Sequence, residues 1–324
     1  MEDFKTDEPT QSNPRAPCNE TLEMVFWILY GSVGFLILTG NLFTFLVFVA
    51  TKRLRQSYMN IFLVSLAVAD IMMAVFVVPG YAVFCNGCKY ALSKYCWWMA
   101  GLKDVACGGT VFNLLAISFD RFIAVLRPLR YHNYMTTRSV SFTLVGVWVF
   151  SFVLAVIRNA WLHTKSEEEA RKIDKIYNST LLFTFALLPI LVILAMNVKI
   201  IQAIQRQNRR VHHECNISAN ETKTEQETRM ERSKARKGTM SCVLVVFVFL
   251  ISWLPLAFVN FSFVFGRPDL VSDVLVKIAW LLLFIQSSAN PFIYSFCRSE
   301  FRQASIALLR CKFTGTRRVE SFHH

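Results

Sequence analysis

The chain has 324 residues, of which 54% are hydrophobic, 14% aromatic and only 18% charged, with a formal charge of +13. So large an apolar share excludes an ordinary water-soluble domain. The basic residues cluster in short segments between apolar blocks, which marks membrane topology and attraction to anionic lipid and argues against nucleic-acid binding.

Seven runs of about 20 apolar residues, each long enough to cross a bilayer as helix, lie near 24–50, 58–84, 96–126, 139–161, 179–204, 239–265 and 272–296. The expected fold is therefore an all-α membrane protein, a seven-transmembrane-helix bundle followed by a short amphipathic eighth helix. Residues 1–23 form an extracellular tail, 24–298 one seven-span domain, and 299–324 an amphipathic helix with a cytoplasmic tail. Of the connections, only 206–236 is long enough to behave as a loop of its own. No internal repeat of the transporter kind is visible, and no separate signal peptide is expected before segment one.

After segment one come Lys52, Arg53 and Arg55; after segment three, Arg127, Arg130 and Arg138; after segment five, Arg206, Arg209, Arg210, Arg232, Lys234, Arg236 and Lys237. Arg298, Arg302, Arg310, Lys312, Arg317 and Arg318 follow segment seven. By the positive-inside rule these ends are cytoplasmic. The other face carries Asp3, Asp7, Glu8, Glu167, Glu168, Glu169, Asp174 and Asp269, so the N-terminus is expected outside.

The nine cysteines divide by side. Cys18, Cys85, Cys88 and Cys96 fall at the outer face, where disulfides persist, and four cysteines allow three connectivities. Cys107 and Cys242 lie within segments, and Cys215, Cys297 and Cys311 face the cytosol. Sequons at Asn19 and Asn178 are outside and open to glycosylation; those at Asn216 and Asn220 are cytosolic on this topology.

In chain order the segments hold Gly40-Asn41, Leu66-Ala67-Val68-Ala69-Asp70, Cys96 with Asp120-Arg121-Phe122, Trp148, Pro189, Phe249 with Trp253-Leu254-Pro255, and Asn290-Pro291-Phe292-Ile293-Tyr294. One set per segment over nearly the whole chain, these resemble rhodopsin-like (class A) G-protein-coupled receptors, with weaker local resemblance to adenosine and biogenic-amine receptors. The resemblance implies a plasma-membrane receptor. It would bind an extracellular small molecule or short peptide within the bundle and activate a heterotrimeric G protein, with arrestin as a further partner. A non-signalling decoy or scaffold of the same fold is the alternative. An enzyme is not expected, since His132, His163, His212, His213, His323 and His324 all fall in loops or the tail, away from any metal site inside the bundle.

The resemblance also assigns roles. Asp70, a carboxylate at mid-membrane depth, must face the bundle and find partners; with Thr110, Ser287 and Asn290 it is implied to bind sodium, and Asn41 is a further partner. Pro255 kinks helix six and Trp253 faces the cavity with Phe249 one turn inward, a pair suited to turning ligand contact into helix rotation. Arg121, about 25 residues or 37 Å past Cys96, reaches the inner end beside Asp120. Asn290, Pro291 and Tyr294 complete the switch. Ala235 stands where relatives hold an acid in helix six, Glu231 lies one turn too early, and Asn197 replaces a tyrosine in helix five. Ligand-independent activity is the expectation that follows.

The pocket candidates are Lys103, Asp104, Cys107, Trp253, Leu256, Asn260, Trp280 and Phe284. Lys103 occupies the position where amine receptors hold a carboxylate, and Asp104 follows it, turned by about 100°. Trp253-Leu254-Pro255-Leu256 with Asn260 is similar to adenosine receptors, where the amide would meet an adenine edge. An adenosine-like or amine-like small molecule is favoured, while Lys103, Lys277 and Arg158 hint at an acidic group. No retinal is expected: Phe284 holds the Schiff-base position and Lys277 lies about two turns outward, near the aqueous mouth. The family bridge from Cys96 has no cysteine to meet at 162–177, leaving Cys18, Cys85 or Cys88 as its partner, or none. At 299–311 Phe301, Leu308 and Leu309 share an apolar side opposite Arg302, Gln303 and Arg310. Cys311, and secondarily Cys297, are palmitoylation candidates; Thr222, Thr224, Thr228, Thr314, Thr316 and Ser321 are phosphorylation candidates.

Overall fold

The computed structural model describes residues 19–85, 96–162, 166–215 and 223–313. Cys18, Cys88, Asn216, Asn220, Thr222, Thr314, Thr316 and Ser321 lie outside the described residues. At Cys85, Cys96, Arg158, Glu231, Ala235, Tyr294, Cys297 and Cys311 the backbone alone is described. Among the described residues there is no strand. Seven helical spans are long and apolar enough to cross a membrane: α1 Glu20–Ala50, α2 Tyr58–Val83, α3 Met99–Leu126, α4 Thr137–Ile157, α5 Lys175–Arg206, α6 Val243–Val264 and α7 Asp273–Ile293. A shorter helix, α8, covers Ser299–Phe313.

Local chemistry explains where the helices depart from the expected bounds. Asn19 caps α1, its Oδ1 accepting from the Leu22 amide at 3.1 Å, and Glu20 and Glu23 sit at the positive end of the dipole. The helix feeding α5 begins at Glu167, with Ser166 Oγ as cap, three glutamates in its first turn, and a Glu168–Lys172 pair at 2.8 Å. Asn178 thus lies in a helix rather than a loop. The expected loop at 206–236 is a correction: helix runs on to Cys215 and resumes at Lys223, because these stretches are built of Gln, Arg, Lys and Glu with no proline, and no glycine before Gly238. Gly266, at φ +70°, closes α6: its own amide reaches Phe263 O at 3.3 Å and the Arg267 amide reaches Ser262 O at 2.8 Å.

Two helices contain π-turns, each beside a proline. Met73–Val77 and Tyr81–Cys85 flank Pro79, and Leu181–Leu187 precedes Pro189. A proline supplies no amide hydrogen and its ring crowds the carbonyl one turn earlier, so the backbone widens there.

α3 is central, touching α2, α4, α5 and α6, while α1 packs on α2 and α7. Close approach depends on missing side chains: a Cβ on Gly109 would lie 3.2 Å from Ala69 Cβ and 3.6 Å from the Trp148 ring, and one on Gly108 would lie 2.9 Å from Ser151 Oγ. Trp148 Nε1 then donates to Ser65 Oγ at 3.1 Å, tying α4 to α2. The outward residues, among them Phe35, Phe142, Val156 and Leu254, stay exposed as lipid-facing surface. α8 is held at the basic end. Arg298 donates to Asn60, whose own amide donates to Leu54 O at 2.9 Å, and Phe301 inserts into the core. Along the apolar side of α8 Phe301 is buried against the bundle and Leu309 is exposed, as a membrane-facing residue would be, and Ser305 is buried.

Replacing Gly109 by leucine is expected to overpack the α2–α3–α4 contact by at least about 1–3 kcal/mol. Surface expression and melting temperature should fall together; Gly146→Ala, which meets open space, should leave both unchanged.

Candidate ligand and signalling sites

Two apolar clusters bracket a polar layer. Toward the basic end the first gathers Phe62, Leu66, Leu114, Ile117, Val245, Phe249 and Phe301; toward the opposite end the second gathers Phe26, Tyr30, Ile37, Met73, Tyr81 and Phe284. Between them Asn41, Asp70, Thr110, Asn113, Ser287 and Asn290 are all buried. Asp70 Oδ2 accepts from Asn290 Nδ2 at 2.7 Å. Asn41 Nδ2 donates to Ile37 O at 2.9 Å and to Ser287 O at 3.1 Å, bridging α1 to α7. Thr110 Oγ1 donates to Ala106 O at 3.1 Å and keeps lone pairs free to accept. Asp70 Oδ1, Asn41 Oδ1 and Asn290 Oδ1 have no hydrogen-bond partner of normal geometry among the described residues. The layer has more acceptors than donors, around a single carboxylate. Among the described residues no group of three or more His, Cys, Asp or Glu forms.

At the basic end Asp120 is fully buried and accepts from three donors. Arg121 Nε reaches its Oδ2 at 2.8 Å, Arg121 Nη2 reaches the same oxygen, and the Tyr131 hydroxyl donates to Oδ1 at 2.8 Å. Burial, and then the Asp120 carboxylate, hold the Tyr131 phenol well above its ordinary range, so it stays a donor. One turn away Asn197 Nδ2 donates to Ser118 Oγ at 3.2 Å and to Ile193 O at 2.8 Å, joining α5 to α3. Phe249 is fully buried with its ring 5.3 Å from that of Trp253, whose Nε1 has no partner among the described residues. Pro255 and Pro291 both lie inside their helices. Nothing in the sequence pattern marked Tyr131 or Ser118, because neither belongs to a periodic apolar face or a motif.

At the opposite end the pocket candidates separate. Lys103 Nζ lies 3.5 Å from Asp104 Oδ1, and the Asp104 side chain is only 7% exposed. Leu256 and Asn260 stay on α6, where Asn260 is exposed and its Nδ2 donates to Leu256 O at 2.8 Å, engaging the amide within its own helix. Trp280, Phe284 and Cys107 belong instead to the α1–α2–α7 cluster: Trp280 stacks on Tyr81 at 4.5 Å, and Cys107, a free thiol, packs alongside. Phe284 is fully buried behind Tyr30, Tyr81 and Trp280, so it reaches a ligand only through them. Lys277 lies near the end of α7, at the depth expected, but it is buried there: its ammonium pairs with Glu23 in the first turn of α1 and sits 5.8 Å from the centre of the Phe26 ring. A glutamate in the first turn of an apolar segment was the one available signal.

Residues 40–294 match the family model of the 7 transmembrane receptor (rhodopsin family). The chain is 29% identical to the histamine H2 receptor of Cavia porcellus over 285 residues, 84% of this chain and 76% of that protein. Its identity to the histamine H2 receptor of Homo sapiens is 28% over 308 residues, 91% and 81% of the two chains. To the D(1C) dopamine receptor of Xenopus laevis it is 30% over 333 residues, 89% and 70%. With seven membrane-crossing helices and a match over most of its length, the chain belongs to the rhodopsin family of seven-transmembrane G-protein-coupled receptors.

Proposed function

We propose that this receptor binds a small amine from the extracellular side and passes the signal to a heterotrimeric G protein through Arg121, with its N-terminus outside the plasma membrane. The observation that carries the signalling half is the buried Asp120 that holds Arg121 and is itself held by Tyr131. A cation restrained at the inner end of α3 is ready to be released to a partner. The decoy alternative drew on Asn197 and Ala235, but Asn197 is engaged with Ser118 and the Asp120–Arg121 pair is intact. Arrestin binding through the tail and third-loop hydroxyls, glycosylation at Asn19 and Asn178, and palmitoylation at Cys311 belong to the same reading.

The amine half is supported by relatives named for histamine and dopamine and by the nearly buried carboxylate of Asp104 on the outer half of α3. Asn260 spends one N–H on the Leu256 carbonyl of its own helix, and the relatives named for histamine and dopamine favour the amine over an adenine edge. Lys103 and Lys277 are already paired with carboxylates, so neither favours an acidic ligand. Lys103 competes with an incoming ammonium for Asp104.

Asp70, Asn41, Thr110, Ser287 and Asn290 fit a small monovalent cation in their chemistry, because the buried layer holds oxygens without partners and one carboxylate without a countercharge. Bound there, sodium would supply the positive charge that Asp70 lacks. Retinal has no attachment point at Phe284.

Arg121→Ala should abolish G-protein activation in a cell biosensor assay while leaving surface expression intact. Tyr131→Phe removes a hydrogen bond to a buried charge, about 1.5 kcal/mol, and should raise the basal active-to-inactive ratio about tenfold; an unchanged basal signal would place Tyr131 outside the lock. In a screen of biogenic amines, Asp104→Asn should raise the half-maximal concentration of any active amine by at least about 30-fold. Lys103→Ala should lower it. Agonist affinity should depend on sodium concentration in the unaltered receptor and lose that dependence in Asp70→Ala; dependence that persists would remove the cation from the polar layer.

A further inference from the structure

We propose that the outer ends of α1, α2 and α7 form a recognition cage for a primary ammonium group, separate from Asp104, and that the receptor's own Lys277 is its resident ligand. The Lys277 side chain is 7% exposed although it lies in the second turn of α7. Its ammonium donates to Glu23 Oε1 and lies 5.8 Å from the centre of the Phe26 ring. Its backbone carbonyl accepts from the Tyr30 hydroxyl at 3.0 Å, which anchors the residue to α1 a second time. Around it Tyr30 packs against Phe26, Tyr81 and Phe284 at 5.7 Å each, and Tyr81 stacks on Trp280 at 4.5 Å. A buried carboxylate with an aromatic ring over the cation, backed by a packed aromatic cluster, is the chemistry that selects an ammonium ion, since the ring face attracts the cation and burial keeps water from competing. Glu23 Oε2 is buried with no partner among the described residues, so the cage has an acceptor in reserve for a second N–H. On α3, Lys103 Nζ lies 3.5 Å from Asp104 Oδ1.

Lys277→Ala deletes three methylenes and the ammonium, the shape of n-propylammonium, and leaves the Glu23 carboxylate without its countercharge. Purified full-length receptor in lipid nanodiscs tests the cage by thermal denaturation without any agonist, so its outcome is independent of whether the agonist is an amine. K277A is expected to melt about 10 °C below the unaltered receptor. Millimolar n-propylammonium should restore at least half of that loss, and n-propanol should not. The E23Q/K277A double variant should ignore both compounds. If K277A does not express, K277M keeps the cage filled but uncharged, and adding E23Q to it should raise the melting temperature. Rescue by propanol equal to that by propylammonium, equal rescue of the double variant, or an E23Q/K277M receptor no more stable than K277M would overturn the proposal.

Discussion

A carboxylate that no water reaches must draw its donors from whatever helices surround it, and in this bundle that carboxylate is Asp70. Helices in lipid gain little from hydrophobic association with one another, so polar contacts and close backbone approach decide their register. Asn290 must arrive from α7 at 2.7 Å, and α7 is kept near by Asn41, which crosses from α1 to the Ser287 carbonyl. Gly40 lets that crossing happen: a Cβ there would lie 3.0 Å from Pro291 Cγ. The apolar clusters on either side close the layer off from both membrane faces. Charge, close approach and kinked backbone therefore specify one another, and a change at any of them reaches the rest through Asp70.

Most of the architecture was readable beforehand, because a membrane span announces itself by length and apolar content alone. The bounds of α3 and α7 came out almost as expected, since charged or polar residues mark both ends. The ends at Lys223 and Glu167 did not, because charged sequence with high helix propensity looks like a loop to an apolarity scan and like helix to the backbone. Asp70, Asp120, Arg121 and Trp253 were identifiable as intramembrane polar groups or as parts of motifs. Tyr131, which holds Asp120, and Ser118, which holds Asn197, were not, because a hydroxyl in a loop or on a helix face carries no pattern until tertiary structure brings it to its partner. Lys277 shows the reverse: a lone lysine near a segment end usually snorkels to water, and here the pairing with Glu23, remote in sequence, holds it in the protein.

The basic end is built from short links. Asp120 satisfies both the neighbouring guanidinium and a phenol from the following loop, so the loop and the helix end move as one body while that bond lasts. Asn197 reaches only as far as Ser118, and the short amide leaves α5 hooked to α3 rather than extended toward α7. Asn60 serves α8 in the same way, receiving Arg298 on its oxygen and giving its nitrogen to the Leu54 carbonyl. Asp120 and Asn60 each fasten their elements with both polar atoms of the side chain, and Asn197 fastens α5 through its Nδ2.

The π-turns beside Pro79 and Pro189 bear on how positions in this bundle correspond to those in other seven-helix chains. A π-turn accommodates an extra residue, which rotates everything beyond it by about 100° relative to an unbroken helix. Tyr81 meets Trp280 across the α2–α7 boundary only after the first of the two wide stretches in α2. Numbering carried outward from Asp70 or from Pro189 therefore drifts off the true face of the helix. The helix of α3 is α-helical without interruption from Cys96 to Leu126, so a count back from Arg121 keeps its phase, and the adjacent placement of Lys103 and Asp104 near its N-terminal end is a property of the helix itself.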